Sequence, residues 1–164
     1  VDLGLSVKWA TCNVGAATPE EYGDYFAWGE VKSKSVYDNK TYKYNKTTLD
    51  AQYDVAIVNW GGSWRMPTDV EMTELLEQCK WTWTTQNRVY GYKVIGKNGN
   101  SIFLPAAGYR YGSNLIATGS LSYYWSSSIH VNKHSIYVLT FNSSKVFSTY
   151  YDRIYGFSVR PVCK

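Results

Sequence analysis

The sequence predicts an α+β domain in which two helices lie among many strands. Three observations carry this prediction. Two central segments have helix caps and helical spacing, the flanking segments alternate apolar and polar residues, and aromatic residues make up 17% of the chain. A length of 164 residues with a hydrophobic fraction of 45% is enough for one domain, residues 1–164, with its own core.

Composition also bears on partners and on thiol chemistry. The net charge of +4 is spread along the chain without a basic block, so nucleic-acid binding is not indicated. No apolar run approaches the length of a membrane span, and we expect none in this segment. Cys12, Cys79 and Cys163 are an odd number without a CxxC pair. One disulfide stays open, and buried free thiols are the favoured interpretation.

The first third of the chain is predicted to contain extended segments and a long loop. Alternation over Leu3–Trp9 predicts a half-buried strand. The aromatic segment Tyr22–Trp28 predicts a strand or extended stretch, and the polar segment Lys32–Thr48 predicts a surface loop. Because Val1 leads directly into strand-like sequence, we expect the chain to be a domain of a longer protein.

The first helix is predicted to begin after Asp50, which is a suitable N-cap residue, and to end at Trp60-Gly61-Gly62. Its predicted apolar positions are Ala51, Val55, Ala56 and Val58.

The second helix is predicted over Asp69–Gln78. Thr68 followed by Glu71 fits the capping box, in which each side chain satisfies a free N–H group of the first turn. Its predicted inner face consists of Val70, Leu75, Leu76 and Cys79.

Strands are predicted to dominate the rest of the chain. Trp81–Thr85 has strand period, and Tyr92–Ile95 with Ser101–Leu104 predicts a hairpin around the turn Lys97–Asn100. Pro105–Gly119 is interpreted as a glycine-rich loop. The last third supplies three or four further strands, with a predicted core face of Tyr124, Trp125, Tyr137, Leu139, Phe141, Val146, Phe157 and Val159.

Several motifs together resemble a known family. They are VDLGLSVKWATCNVGA, YGDYFAWGE, NWGGSWRMPTDVEMTELL, FLPAAGYR, YYWSSS and GFSVRPV. This combination resembles the major paralogous domain family of gut-bacterial surface proteins (the Fibrobacter-type repeat) over nearly the whole chain. That family looks like a branch of the C-type lectin-like fold, in which the chain termini pair. The resemblance implies pairing of Leu3–Trp9 with Phe157–Val162, and an extracellular or cell-surface location.

Two elements also resemble the formylglycine-generating enzymes, namely Arg65–Glu71 and Gly156–Arg160. Those enzymes depend on a reactive cysteine pair before the closing motif, and this chain has no cysteine between Trp125 and Gly156. A thiol mechanism cannot proceed without a thiolate. The resemblance therefore implies the fold without the catalysis. We expect no enzymatic activity, no catalytic residue and no cofactor.

The closing region further resembles variable proteins that are diversified by retroelements. Randomised adenines in Asn-type codons cannot produce Glu, Gln, Met, Trp or Lys. From Ser126 to Cys163 the chain has none of the first four, and its only lysines there are Lys133 and Lys145. The poor fit of Glu to strands is the alternative explanation. Diversification is the favoured interpretation, because Tyr, His, Ser, Asp and Ile fall where alternation points outward.

This resemblance and the strand alternation predict a ligand-binding region at about residues 122–156, where tyrosine offers stiff contact area and Ser and Asn adapt their hydrogen bonds. On the strand around Ser135–Asn142, the set Tyr137, Leu139 and Phe141 is predicted to point inward. The predicted ligand-binding residues are Tyr123, His130, Asn132, His134, Ile136, Val138, Thr140, Phe147, Thr149, Tyr150, Tyr151, Asp152, Ile154 and Tyr155. Arg153 is predicted to be a fixed hydrogen-bonding residue, and Gly156 a position that needs the conformational freedom of glycine.

Metal and sugar sites are weaker interpretations. His130 and His134 are four residues apart, but no carboxylate or cysteine accompanies them, so surface histidines are favoured over a metal site. Turn or cap roles are favoured over calcium binding for the acidic pairs Asp24 with Glu30 and Asp50 with Asp54. Core packing is favoured over sugar stacking for Trp60, Trp64, Trp81, Trp83 and Trp125. Arg65 and Arg160 are expected to hold backbone and carboxylate partners.

The sequence thus predicts a non-enzymatic ligand-recognition domain of a secreted or cell-surface protein. A structural repeat module of a larger adhesin is the alternative, and an enzyme of the formylglycine-generating kind is the third possibility. The ligand is unknown. A protein is favoured over a glycan, because diversified relatives bind proteins.

Overall fold

The computed structural model describes residues 1–164 and contains two α-helices and ten strands. The helices are α1 (Val55–Trp60) and α2 (Asp69–Gln78), with a single 3-10 turn at Ala51–Tyr53. The strands are β1 (Lys8–Trp9), β2 (Lys80–Gln86), β3 (Val89–Ile95), β4 (Ser101–Pro105), β5 (Tyr109–Tyr111), β6 (Asn114–Ile116), β7 (Leu121–Ile129), β8 (Ser135–Asn142), β9 (Val146–Asp152) and β10 (Val162–Cys163). The predicted α+β class is confirmed, with four antiparallel sheets.

The two chain ends pair, as predicted, but over a shorter length. Strands β1 and β10 are antiparallel, with Trp9 opposite Val162. The chain before Lys8 is not a strand, since Gly4 adopts a left-handed φ of 76° that interrupts extended backbone. Phe157 instead makes an isolated bridge with Phe26.

Helix α1 begins later than predicted, because Asp54 rather than Asp50 is its N-cap. The Asp54 carboxylate accepts hydrogen bonds from the backbone N–H groups of Ala56 and Ile57, and also from that of Met66. The Asp50 side chain makes no such bond at the start of the 3-10 turn. Of the four predicted apolar positions, Val55 and Ala56 are buried, while Ala51 and Val58 are exposed.

Helix α2 has the predicted bounds and the predicted capping box. The Thr68 hydroxyl accepts from the N–H of Glu71, and the Glu71 carboxylate accepts from the N–H of Thr68. The inner face is partly different from the prediction. Met72 and Leu75 are buried, whereas Val70 is exposed, because position 70 lies on the opposite side of the first turn.

Glu71 also forms a bidentate ion pair with Arg65, with nitrogen–oxygen distances of 2.9 and 2.6 Å. Partial burial raises the pKa of Glu71, but the hydrogen bonds from Arg65 and Thr68 outweigh this effect and hold the pKa below its ordinary value of 4.5. Since the folded state binds this proton more weakly than the unfolded chain, the ion pair stabilises the fold above about pH 4.5 and is lost in acid.

We therefore expect Glu71→Gln to lower the free energy of unfolding by about 1 kcal/mol at neutral pH, since glutamine keeps the cap but loses the charge pair. The difference from the wild type should shrink as the pH falls below that value. Urea unfolding at several pH values tests this, with the exposed Glu77→Gln on the same helix as the control. A pH-independent difference would contradict the assignment.

The hairpin of β3 and β4 has the predicted position, and β2 extends it to three strands. Residues 105–119 differ from the prediction. This glycine-rich stretch contains a second, short hairpin of β5 and β6, in which Tyr109 lies opposite Ile116.

The sheet of β7, β8 and β9 lies between two cores. The first core contains α2 residues Met72 and Leu75, with Leu139 and Phe141 of β8. The second core includes Val14, Phe26, Trp28, Met66, Trp125, Ile136, Val138, Phe157 and Val159. Strand β8 is thus buried on both of its faces. Neither helix is long and apolar enough to cross a membrane.

Arg160 joins the closing segment to the rest of the domain. Its side chain is fully buried and donates to the side-chain oxygen of Asn13 and to the backbone oxygens of Ala10, Thr11 and Phe103, at 2.8–3.1 Å. The expected backbone partners are present. The expected carboxylate partner is found for Arg65 but not for Arg160.

Candidate ligand-binding site

Four of the predicted ligand-binding residues are buried, so their predicted exposure is wrong. Ile136 and Val138 belong to the second core, and Ile154 is also buried. Thr140 is buried and donates its hydroxyl hydrogen to the backbone oxygen of Ser122. For the three residues on β8, the physical reason is that both faces of this strand are covered, whereas the prediction assumed that one face meets water.

The other ten predicted residues do not form the single patch that was predicted. Residues that face each other across two strands project to the same side of a sheet, and successive residues project to opposite sides. The register of β9 therefore places Tyr151, opposite Ile136, on the side of the second core, and Tyr150, opposite Tyr137, on the other side.

The side of Tyr150 carries a small exposed group. The Tyr150 ring is 49% exposed and stacks on His130 with ring centroids 4.0 Å apart, while Tyr137 contacts His130 edge-on at 5.2 Å. Asp152 projects to this side as well, because it alternates with Tyr151. Tyr137 was predicted to point inward to the core, and it is half-buried.

The side of Tyr151 carries the larger group, which we call the tyrosine surface. It consists of Tyr109, Tyr111, Tyr123, Tyr151 and Tyr155. Their centroids are separated by 5.4 Å between Tyr109 and Tyr123, 5.1 Å between Tyr111 and Tyr155, and 4.9 Å between Tyr123 and Tyr151. These rings come from β5, β7, β9 and the chain after β9, so the surface exists only in the folded domain.

Buried Phe157 supports the tyrosine surface from beneath. Tyr123 and Tyr155 stack on its ring at 4.6 and 5.6 Å, and Tyr151 meets it edge-on at 5.8 Å. Phe157 itself packs on Trp125, with a centroid distance of 4.3 Å. The rings of Tyr123, Tyr151 and Tyr155 are therefore fixed by the second core and lose little conformational entropy when a ligand binds.

Two hydroxyl groups of this surface, those of Tyr123 and Tyr155, stay protonated near neutral pH. Burial raises the pKa of Tyr123, and its hydroxyl shares a 3.2 Å hydrogen bond with that of Tyr151. Burial likewise raises the pKa of Tyr155. The surface thus presents apolar ring area together with neutral hydroxyl donors and acceptors, a combination suited to protein or sugar ligands.

Tyr109 and Tyr111 were missed in the sequence-based prediction. The segment Gly108–Gly112 reads GYRYG, in which two tyrosines alternate with Arg110 between glycines. That strand-period signal was available, but the glycines led to its interpretation as a loop. Tyr111 is 45% exposed and marks the outer end of the tyrosine surface.

The remaining predicted residues border these groups. Phe147 and Thr149 lie on the Tyr151 side of β9 and are half-buried. Asn132 and His134 are exposed in the loop before β8, where the Asn132 side-chain oxygen accepts from the N–H groups of His134 and Ser135.

Arg153 is the fixed hydrogen-bonding residue that was predicted. Its guanidinium is buried, lies 5.0 Å from the Trp28 ring and donates to the backbone oxygens of Lys46, Lys133 and His134. It therefore ties the loop before β8 to the long loop in the first half of the chain.

Gly156 is needed for close packing rather than for unusual backbone geometry, which corrects the prediction. Its φ is not left-handed, and an added Cβ would lie 2.8 Å from the Tyr37 ring. The three cysteines are free and half-buried rather than buried. Of the five tryptophans that were weighed as sugar-stacking residues, only Trp125 is fully buried, and the other four are half-buried.

The fold and this site define a small α+β domain with a tyrosine-lined surface. The chain belongs to the family described as a domain of unknown function (DUF8237), whose model matches residues 42–162. No curated protein and no solved structure gives a significant match.

Proposed function

We propose that this chain is a non-enzymatic ligand-recognition domain that binds through the tyrosine surface. One observation carries the proposal: the rings of Tyr109, Tyr123, Tyr151 and Tyr155 pack on Phe157, Tyr111 packs on Tyr155, and all five remain partly exposed. Contiguous aromatic area of this kind at a protein surface marks an interaction site. Tyrosine is also enriched among residues that dominate binding energy.

A C-type lectin-like topology and an extracellular or cell-surface location are part of this proposal. The pairing of β1 with β10 is the feature that supports the topology, together with the two helices that precede the central sheet. A protein ligand is favoured over a glycan, because none of the four main cavities of the domain is lined by a residue of the tyrosine surface.

Diversification by a retroelement remains a separate hypothesis. The burial of several predicted binding residues reduces the number of positions that could vary. Random polar residues at Ile136, Val138 or Ile154 would disrupt the second core or its margin. Variation must therefore concentrate at exposed positions such as Tyr150 and His134. A neighbouring reverse transcriptase gene, with a near-copy of the 3′ coding segment that differs at adenines, would support the hypothesis, and a neighbourhood without either would remove it.

The recognition proposal is tested by screening the domain against panels of extracellular proteins and glycans. We expect the double variant Tyr111→Ala/Tyr155→Ala to weaken any genuine ligand at least about tenfold, since each ring supplies contact area that the ligand buries. The matched control is Tyr90→Ala/Tyr150→Ala, which also removes two half-exposed tyrosines but from outside the tyrosine surface.

Equal binding by both double variants would place the ligand elsewhere and contradict the proposal. If the screen finds no ligand, the structural repeat module becomes the better account. That candidate is favoured by the burial of Ile136, Val138, Thr140 and Ile154, four positions that were predicted to contact a ligand.

A further inference from the structure

A second concave site lies in the first half of the chain. Residues of the loop Gly29–Lys46 and the ring of Tyr53 line an open cavity of about 850 Å³. Five lysines line it: Lys32, Lys34, Lys40, Lys43 and Lys46. It shares no lining residue with the tyrosine surface, and we call it the lysine cavity.

The lysine cavity accounts for the positive charge of the whole chain. Its wall holds five of the seventeen Lys and Arg residues but only one of the thirteen Asp and Glu residues, Glu30. The rest of the chain therefore has twelve residues of each sign and is neutral. Positive charge concentrated in a concave wall attracts anions more strongly than the same charge spread over a surface.

Three of the lysines are available for a ligand. Lys34 pairs with Glu30 at 2.9 Å, and Lys46 with Asp50 at 3.6 Å. Lys32, Lys40 and Lys43 are exposed and have no carboxylate within 4.0 Å. An anionic ligand would therefore gain new charge pairs without displacing existing ones.

The wall of the cavity is held in place by buried tyrosines rather than by strands. The Tyr37 hydroxyl donates to the backbone oxygen of Tyr25 at 2.6 Å, and the Tyr42 hydroxyl donates to that of Trp28 at 2.5 Å. Arg153 donates to the backbone oxygen of Lys46 at 2.7 Å. The lysines thus project from a fixed loop, which lowers the entropic cost of binding.

The side chains that line the lysine cavity indicate which class of anionic ligand fits it. Only four of the fifteen lining residues are hydrophobic, and the wall combines the charged ends of the lysines with apolar surface from their stems and from the tyrosine rings. The wall offers no strand edge to which a peptide could add, and it lacks the arginine forks that recognise acidic motifs. It does offer exposed Ser33, Ser35 and Asn45, which can hydrogen-bond to sugar hydroxyls, and the ring of Tyr53.

From this combination we infer that the lysine cavity binds an anionic oligosaccharide, one that carries carboxylate or sulfate groups. Lys32, Lys40 and Lys43 contact the anionic groups as point charges, while the hydroxyl and amide side chains contact the sugar hydroxyls. Binding is salt-dependent, because the pairs form at a solvent-exposed wall. It is independent of ligand binding at the tyrosine surface.

Isothermal titration of the whole domain tests this inference with three probes: a uronate hexasaccharide, a sulfated hexasaccharide, and the uronate with its carboxyls reduced to neutral alcohols. We expect one or both anionic probes to bind and the neutral one not to bind. The triple variant Lys32→Gln/Lys40→Gln/Lys43→Gln should weaken binding about tenfold and flatten its salt dependence.

The matched control is Lys8→Gln/Lys80→Gln/Lys93→Gln, which removes three exposed lysines outside the cavity and gives the same net charge. This control should bind as the wild type does. If both triple variants bind the anionic probes equally weakly, the net charge of the domain explains the binding, and the inference is overturned. Binding of neither anionic probe would overturn it, and so would tighter binding of a hexaglutamate peptide. Thermal unfolding confirms that both variants are folded.

Discussion

Replacing Arg160 by alanine is expected to lower the free energy of unfolding by about 3–5 kcal/mol, a large effect for one residue. Four hydrogen bonds disappear together, and the backbone oxygens of Ala10, Thr11 and Phe103 lose a buried donor. Each buried acceptor that is left unpaired costs about 1–3 kcal/mol. Because these acceptors lie in the amino-terminal segment and in β4, the loss should loosen the contact between the two chain ends.

Urea unfolding measures this loss, and two further variants make the result specific. Arg160→Lys should recover only part of the stability, because one ammonium group cannot reach four separated acceptors. Arg88→Ala, an exposed position, should change stability by less than about 0.5 kcal/mol. Full recovery by lysine would show that only the positive charge of Arg160 matters and would contradict the hydrogen-bonding account.

The second large effect is expected for Trp125→Ala, with a loss of about 3–5 kcal/mol. The indole is fully buried in the second core and donates its N–H to the backbone oxygen of Phe26 at 2.6 Å. Its removal leaves a large cavity directly beneath Phe157, the ring that supports the tyrosine surface. Stability and ligand binding should therefore both decrease.

Trp125→Phe separates packing from hydrogen bonding, since it fills most of the volume and lacks the N–H donor. It should lose less than half as much stability as the alanine variant. Trp64→Ala is the control, because Trp64 is half-buried and lies outside both cores. A loss at Trp64 as large as that at Trp125 would contradict the placement of the core.

Elements that depend on hydrogen bonds between residues close together in the sequence were predictable from the sequence. The capping box fixes the start of α2 through two hydrogen bonds within four residues, and its bounds were predicted correctly. The hairpin of β3 and β4 was located in the same way, from its turn. Pairing of β1 with β10 is a long-range feature, and its prediction needed the family resemblance in addition to the alternation in both segments.

Which side chains of the central sheet are buried was not predictable in this way. In β8 the apolar residues form one uninterrupted run, Ile136–Leu139, so alternation could not reveal that both faces are covered. Choosing one inward set placed Ile136 and Val138 in water. Both faces of β8 are buried because α2 packs on one side and the second core lies on the other.

The sequence predicted some of the tyrosines that the fold brings together and missed others. Tyr123, Tyr151 and Tyr155 were predicted and lie together, while Tyr150 projects to the opposite side of the sheet. Tyr109 and Tyr111 join the surface only because the hairpin of β5 and β6 folds back beside Gly156. Such convergence of distant segments has no counterpart in local sequence.

The central claim is that the tyrosine surface contacts the ligand, and a nitration footprint tests it most directly. Exposed tyrosine rings are nitrated in the free domain and in its complex with a ligand from the screen, and mass spectrometry compares the rates residue by residue. We expect the ligand to slow nitration of Tyr111 and Tyr155 and to leave Tyr90 and Tyr150 unchanged. Protection of Tyr90 or Tyr150, with Tyr111 and Tyr155 unaffected, would contradict the account.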